Sequence, residues 1–232
     1  MAIYAISDLH LSFGTDKPMD IFGVNWKNHT LRLRENWLKV VGEDDYVLIP
    51  GDISWGISLE EADPDFAFIE DLPGKKILSK GNHDYWWSTL HKFTQHADLK
   101  GYRTLNILHN NAYQIGDYTI CGSRGWISSD EDGFSEEDQK IFSRELERLN
   151  FSLKEGKKIG GELIAMLHYP PFDNKHKTNE FASLLKKFGV KTCIYGHIHG
   201  NANESWKAEV VDDICYHLVS CNIISFNPIK LR

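Results

Sequence analysis

Lys76-Ile77-Leu78-Ser79-Lys80-Gly81-Asn82-His83-Asp84 is the stretch on which the fold turns. It opens as a short apolar run of the kind buried strands show, then stops at a tip of glycine, amide, imidazole and carboxylate. The same pattern recurs outward along the chain. Ile3-Tyr4-Ala5-Ile6 ends at Ser7-Asp8, and Tyr46-Val47-Leu48-Ile49 ends at Pro50-Gly51-Asp52. Leu163 to Leu167 ends at His168, and Thr192-Cys193-Ile194-Tyr195 ends at Gly196-His197.

Amphipathic helical patterns separate these runs. Leu33, Trp37 and Val40 share a face over residues 30–41, and Phe181, Leu184, Leu185 and Phe188 follow the i, i+3, i+4, i+7 rule. Ser58 with Glu61 reads as a capping box. Residues 135–156 form the longest helical pattern, with Phe142, Leu146, Leu149 and Leu153 as one stripe. Residues 104–121 read as a cluster of strands with a tight turn at Gly116-Asp117, and residues 206–226 as a closing strand meander. Alternating strands and helices, interrupted by two strand clusters, imply two packed sheets with helices outside.

Composition narrows the class. The 232 residues carry 26 Lys+Arg against 33 Asp+Glu, a net charge of −7, which argues against gripping nucleic-acid backbones. Length and the lack of a linker predict a single domain over residues 1–232. No apolar run approaches the roughly 18–20 residues of a membrane span, and Asp8 and His10 break the apolar N-terminus, so no membrane partner is expected. The 4 cysteines form no C-x-x-C pair, which predicts a reduced, cytoplasmic setting. Eleven histidines are the unusual feature, and they are organised.

Each strand tip carries metal-ligating chemistry: Asp8-Leu9-His10, Gly51-Asp52, Gly81-Asn82-His83-Asp84, His168 and Gly196-His197-Ile198-His199. The C-terminal edge of parallel strands is where ligands bind. Carboxylates, imidazoles and an amide oxygen suit Mn, Fe, Zn or Co. Asp8 with His10, and His197 with His199, would share a face if the backbone is extended. Gly51, Gly81 and Gly196 fit a sharp turn or close approach to a ligand. The abundance of donors points to two metals sharing a carboxylate.

The ordered motifs D-x-H, G-D, G-N-H-D, H and G-H-x-H, from Asp8 to His199, resemble the calcineurin-like metallophosphoesterase superfamily, in its bacterial-type phosphohydrolases. The resemblance implies an α/β fold: a four-layer α/β/β/α sandwich of two mixed sheets with a dinuclear metal site at the strand C-terminal edge. It implies two divalent transition-metal ions, Mn, Fe or Zn. Asp8, His10 and His199 would bind the first, Asn82, His168 and His197 the second, and Asp52 would bridge them with a water or hydroxide. Ile53-Ser54-Trp55-Gly56 after Asp52 and Tyr85-Trp86-Trp87 after Asp84 depart from familiar subfamilies and leave the substrate open.

The expected reaction is hydrolysis of a small phosphomonoester or phosphodiester by in-line attack of a metal-bridging hydroxide. His83 is the candidate general acid, with Asp84 orienting it or capping the following turn. Arg124 is the candidate phosphate contact. Trp55, Trp86, Trp87, Tyr169 and Phe172 divide between an aromatic rim and core packing. The long connection over residues 11–29, with residues 126–133, is expected to cover the site. A nuclease, a cyclic-nucleotide phosphodiesterase and a non-catalytic metal-binding scaffold are the alternatives.

Overall fold

The apolar runs become strands, and parallel pairing sets their polar tips along one edge. In the computed structural model, which describes residues 1–200 and 208–232, the strands are β1 (Ile3–Ala5), β2 (Tyr46–Pro50), β3 (Lys75–Ser79), β4 (Leu105–Ile107), β5 (Tyr113–Ile115), β6 (Tyr118–Ser123), β7 (Glu162–Leu167), β8 (Thr192–Tyr195), β9 (Ala208–Val211), β10 (Ile214–Leu218) and β11 (Ile229–Lys230). The helices are α1 (His29–Val40), α2 (Leu59–Glu70), α3 (Leu90–Lys100), α4 (Glu136–Ile159) and α5 (Glu180–Phe188).

One sheet has the order β11-β1-β2-β3-β4 and the other β5-β6-β7-β8-β10-β9. Strands β1 to β4 pair in parallel, as do β6, β7, β8 and β10, while β11, β5 and β9 are antiparallel edges. Both sheets are therefore mixed, as expected.

Period-two alternation builds the layers. Ile3, Ala5, Leu48 and Ile77 face Ile120, Ile164, Met166 and Ile194 between the sheets. Val47, Ile49 and Leu78 instead pack against Leu33, Trp37, Phe66 and Phe93 of α1, α2 and α3. Leu163, Ala165 and Cys193 pack against Phe142, Leu149, Leu153, Phe181 and Leu185 of α4 and α5. Helices thus cover both outer faces.

Three details differ from the sequence reading. The strand cluster over residues 104–121 is split: β4 completes the first sheet, and β5 and β6 begin the second across the expected Gly116-Asp117 turn. The closing segment is one hairpin, β9–β10, followed by irregular turns, not a run of strands. Trp206 and Lys207 at its expected start lie outside the described residues. Ser58 does accept from the Glu61 N–H at 3.2 Å, but the Glu61 carboxylate reaches back to the Ile57 N–H at 3.0 Å, one residue beyond the cap.

Among the described residues, no helix is long and apolar enough to cross a membrane.

Candidate metal centre

The donors sit just past the strand ends, where the backbone leaves regular pairing. Asp8 and His10 were expected in extended backbone, but both are left-handed, with φ of 58° and 46°. The reason is a continued ladder: the Asp8 N–H donates to Gly51 O at 3.0 Å and the His10 N–H to Asp52 O at 3.0 Å. Asp52 and His197 share the strained region at φ 50° and 70°. For non-glycine residues such backbone persists only where surrounding contacts over-determine it. Glycine serves the site by absence of bulk. A Cβ at Gly81 would fall on the Asp52 carboxylate, and one at Gly196 on Ser7 Oγ and Asp8 Oδ2.

These turns gather all the expected donors. Ligand atoms of Asp8, His10 and His199 lie within 4.8 Å of one another, as do those of Asp8, Asp52 and His168. Asn82 Oδ1 is 2.6 Å from His168 Nε2 and 3.0 Å from His197 Nδ1. Asp52 Oδ2 stands 3.7 Å from His10 Nε2 and 3.5 Å from His168 Nε2, so it spans the cluster. Asp8 spans it too, since it belongs to both trios.

Outer contacts aim the rings. His168 Nδ1 lies 3.0 Å from Pro50 O, which leaves Nε2 for the cluster, and His199 Nδ1 lies 2.8 Å from Asn222 Oδ1. The sequence reading had no role for Asn222. Its only signal was position, just after the last buried strand.

Burial lowers the His168 imidazole to about 3 and that of His197 to about 4, against the opposing pull of Asp8. The shifts favour the neutral ring, the form that ligates metals. Burial, then the negative charges of Asp8 and Asp84, push the Asp52 carboxyl up to about 9. Burial also works to raise Asp8, but His168, His199 and His10 outweigh it and hold it below its ordinary value. Buried carboxylates, neutral imidazoles and an amide oxygen, with the Nε2 atoms of His10 and His199 only 3.2 Å apart, fit divalent cations.

Residues 1–201 match the model of the calcineurin-like phosphoesterase family. The chain belongs to that family. Two mycobacteriophage proteins are similar in sequence. The gene 66 protein of Mycobacterium phage D29 is 30% identical over 135 residues, covering 50% of this chain and 66% of the relative. That of Mycobacterium phage L5 is 40% identical over 80 residues, covering 34% of this chain and 37% of the relative. The chain thus spans under two thirds of each of these relatives. Among solved structures, a phosphopantetheinyl hydrolase from Mycobacterium tuberculosis is similar, with a TM-score of 0.57 at 11% identity over 98% of this chain and 95% of that one. A protein of Thermus thermophilus gives a TM-score of 0.56 at 13% identity over 98% and 96%. At these identities the likeness shows the fold alone.

Outside the donor set, this family member departs from its sequence reading. His83 lies beside the cluster: its N–H donates to Asp52 Oδ1 at 2.8 Å and its ring sits 4.4 Å from that of Trp55. Burial, then the positive charges of Lys17 and His199, lower its pKa, with Asp8 opposing. Asp84 does not orient it. The buried Asp84 carboxylate instead accepts from the backbone N–H groups of Asp52, Ile53, Ser54 and Gly81 and from Trp86 Nε1, at 2.7–3.3 Å. Five donors leave no geometry for an imidazole, so Asp84 clamps the two turns that carry Asp52 and Asn82.

Arg124 is likewise engaged elsewhere. Its guanidinium lies 3.4 Å from the buried Glu145 of α4 and 4.2 Å over the Trp126 ring. Its carbonyl is what meets the site, accepting from the His168 N–H at 3.0 Å. Of the aromatic residues, Trp86 packs on Phe66 and Phe93, and Phe172 is core. Trp87 packs beside the first core, 6.0 Å from His109. Trp55 stacks on His10 at 5.0 Å and Tyr169 lies 4.2 Å from His197, so these two flank the donors. Trp26, unmarked in the sequence reading, stands 5.7 Å from both His10 and His199. It comes from the 11–29 connection, which thus flanks the donors, while of residues 126–133 Trp126 lies 5.1 Å from Tyr169.

Proposed function

We propose that the chain hydrolyses a small phosphomonoester or phosphodiester at this centre. The observation that carries the reading is the convergence of seven donors, Asp8, His10, Asp52, Asn82, His168, His197 and His199, from the tips of both sheets. Asp8, His10 and His199 would hold one divalent ion, Asn82, His168 and His197 a second, with Asp52 between them. Manganese, iron or zinc suits this mixed oxygen and nitrogen set. Such ions supply a nucleophilic water at neutral pH and neutralise charge on phosphoryl oxygens.

The chain's own residues do the rest. His168 and His199 stay aimed because Pro50 O and Asn222 hold their far nitrogens. Asp84 keeps the Asp52 and Asn82 turns in register. His83 adjoins Asn82 and shares a cavity with His10 and His199, where it can give a proton to the leaving oxygen. Burial makes its imidazolium a stronger acid than in water.

Protein of measured metal content, assayed with manganese against aryl and alkyl phosphoesters, tests the reading. Turnover should be present and should vanish in Asp52→Asn together with part of the bound metal. His83→Ala should lose about 10²–10⁴-fold on alkyl esters and far less on nitrophenyl esters, whose leaving group needs no proton. Protein that neither binds a divalent metal nor turns over any of these esters would sink it.

A further inference from the structure

The donor cluster opens on one side into a cavity of about 580 Å³, in the range of small-molecule sites. His10, His83 and His199 form its floor. Its walls are Met19, Phe22, Val24, Trp26 and Trp55, four of which come from the 11–29 connection. Among the described residues, none of those lining it is Lys, Arg, Asp or Glu. Asn25 and Asn222 also line it, and Asn222 already holds His199.

Two features argue that this wall waits for an apolar occupant. Phe22 and Val24 are 64% and 82% exposed, at the edge of a cavity whose deeper parts, Met19 and Trp26, are buried. Large apolar side chains clustered in the open beside polar machinery mark a binding surface. The wall adjoins His10, His83 and His199, so it is open to the ester arm of a phosphoryl group held on the donors. The cation beside this wall is Lys17, whose Nζ lies 4.3 Å over the Trp55 ring, so the apolar preference rests on the remaining walls. An apolar arm would be desolvated by those four.

We propose that this cavity selects phosphoesters whose alcohol carries a compact apolar arm, arylalkyl or branched alkyl, and that Phe22 and Val24 determine that selectivity. The proposal rests on the phosphoester reading above for the orientation of the ligand, but its test does not need turnover. Non-hydrolysable 2-phenylethylphosphonate and methylphosphonate are titrated calorimetrically into the manganese-loaded chain. The phenylethyl compound should bind at least about tenfold more tightly, the gain expected from burying such an arm. In the Phe22→Ser, Val24→Ser double variant that ratio should fall below about threefold, by the same area argument. Both side chains are exposed, and circular dichroism verifies that the variant is folded.

Equal affinity of the unmodified chain for the two phosphonates would overturn the proposal, as would a ratio the double variant leaves intact. A large ratio that collapses in the variant, in a chain that hydrolyses no phosphoester, would uphold the pocket and overturn the hydrolase reading. Hydrolysis with no preference for the apolar arm would do the reverse.

Discussion

Asp8, His10, Asp52 and His197 place their side chains by adopting left-handed backbone. The residue types and their order were legible from the chain, because metal chemistry restricts both. The backbone that presents them was not, since it is decided by hydrogen bonds from Asp8 and His10 to the segment after β2, more than 40 residues away. Asp84 shows the same limit: its neighbour in sequence is His83, but three of its five donors are backbone groups of another turn. Arg124 found its partner on α4. Close packing at this scale makes Gly196 intolerant. Gly196→Ala would press a methyl on Ser7 and Asp8, costing about 1–3 kcal/mol as overpacked sites do. A lowered urea midpoint together with reduced metal content would bear this out, and an unchanged metal content would count against it.

Helix and strand positions were the most readable features, because periodicity and caps are local. Of the stripe Phe142, Leu146, Leu149 and Leu153, Leu146 is half-buried against the core and the other three are buried, and α4 carries a full capping box: Ser135 Oγ accepts from the Asp138 N–H at 3.2 Å and Asp138 Oδ2 accepts from the Ser135 N–H at 2.9 Å. The same aspartate accepts from Trp126 Nε1 at 3.1 Å, which ties the start of α4 to the segment after β6. Ser135→Ala should cost about 1 kcal/mol in chemical denaturation, the usual price of a lost cap. Metal content should be unchanged, because neither residue touches a donor. What no local pattern announced is which sheet each strand joins. The segment over residues 104–121 looks continuous, but it crosses from one sheet to the other.

Across the whole molecule, the end opposite the centre carries its own buried charge. Lys76, near the start of β3, is fully buried and donates to Leu72 O, to Glu70 O at 3.4 Å and to Thr104 Oγ1 at 2.9 Å. Burial lowers its ammonium to about 8 from 10.5, with Glu70 opposing. Below pH 8 both states hold the proton and the cost of burying the charge is fully present. Between about 8 and 10.5 the folded chain sheds a proton the unfolded chain keeps, so this contribution to stability rises with pH. Lys76→Met lacks that gain. The stability of the unmodified chain minus that of the variant should therefore increase from pH 8 to 10.5 in urea titrations, and a constant difference would contradict the assignment.

The centre also has a consequence for assembly of the fold. Asp8, His10, Asp52 and Asn82 follow strands of one sheet, while His168, His197 and His199 follow strands of the other. Several contacts of the site cross that boundary: the His197 N–H donates to Asp8 at 3.1 Å, His168 Nδ1 lies 3.0 Å from Pro50 O, Asn82 Oδ1 lies 2.6 Å from His168 Nε2 and 3.0 Å from His197 Nδ1, and the Nε2 atoms of His10 and His199 are 3.2 Å apart. A cation held by donors from both sides is thus a rivet between two halves, present only once both have formed and docked. Metal capture by these donors should therefore be linked to completion of folding: added manganese is expected to raise the melting temperature and a chelator to lower it.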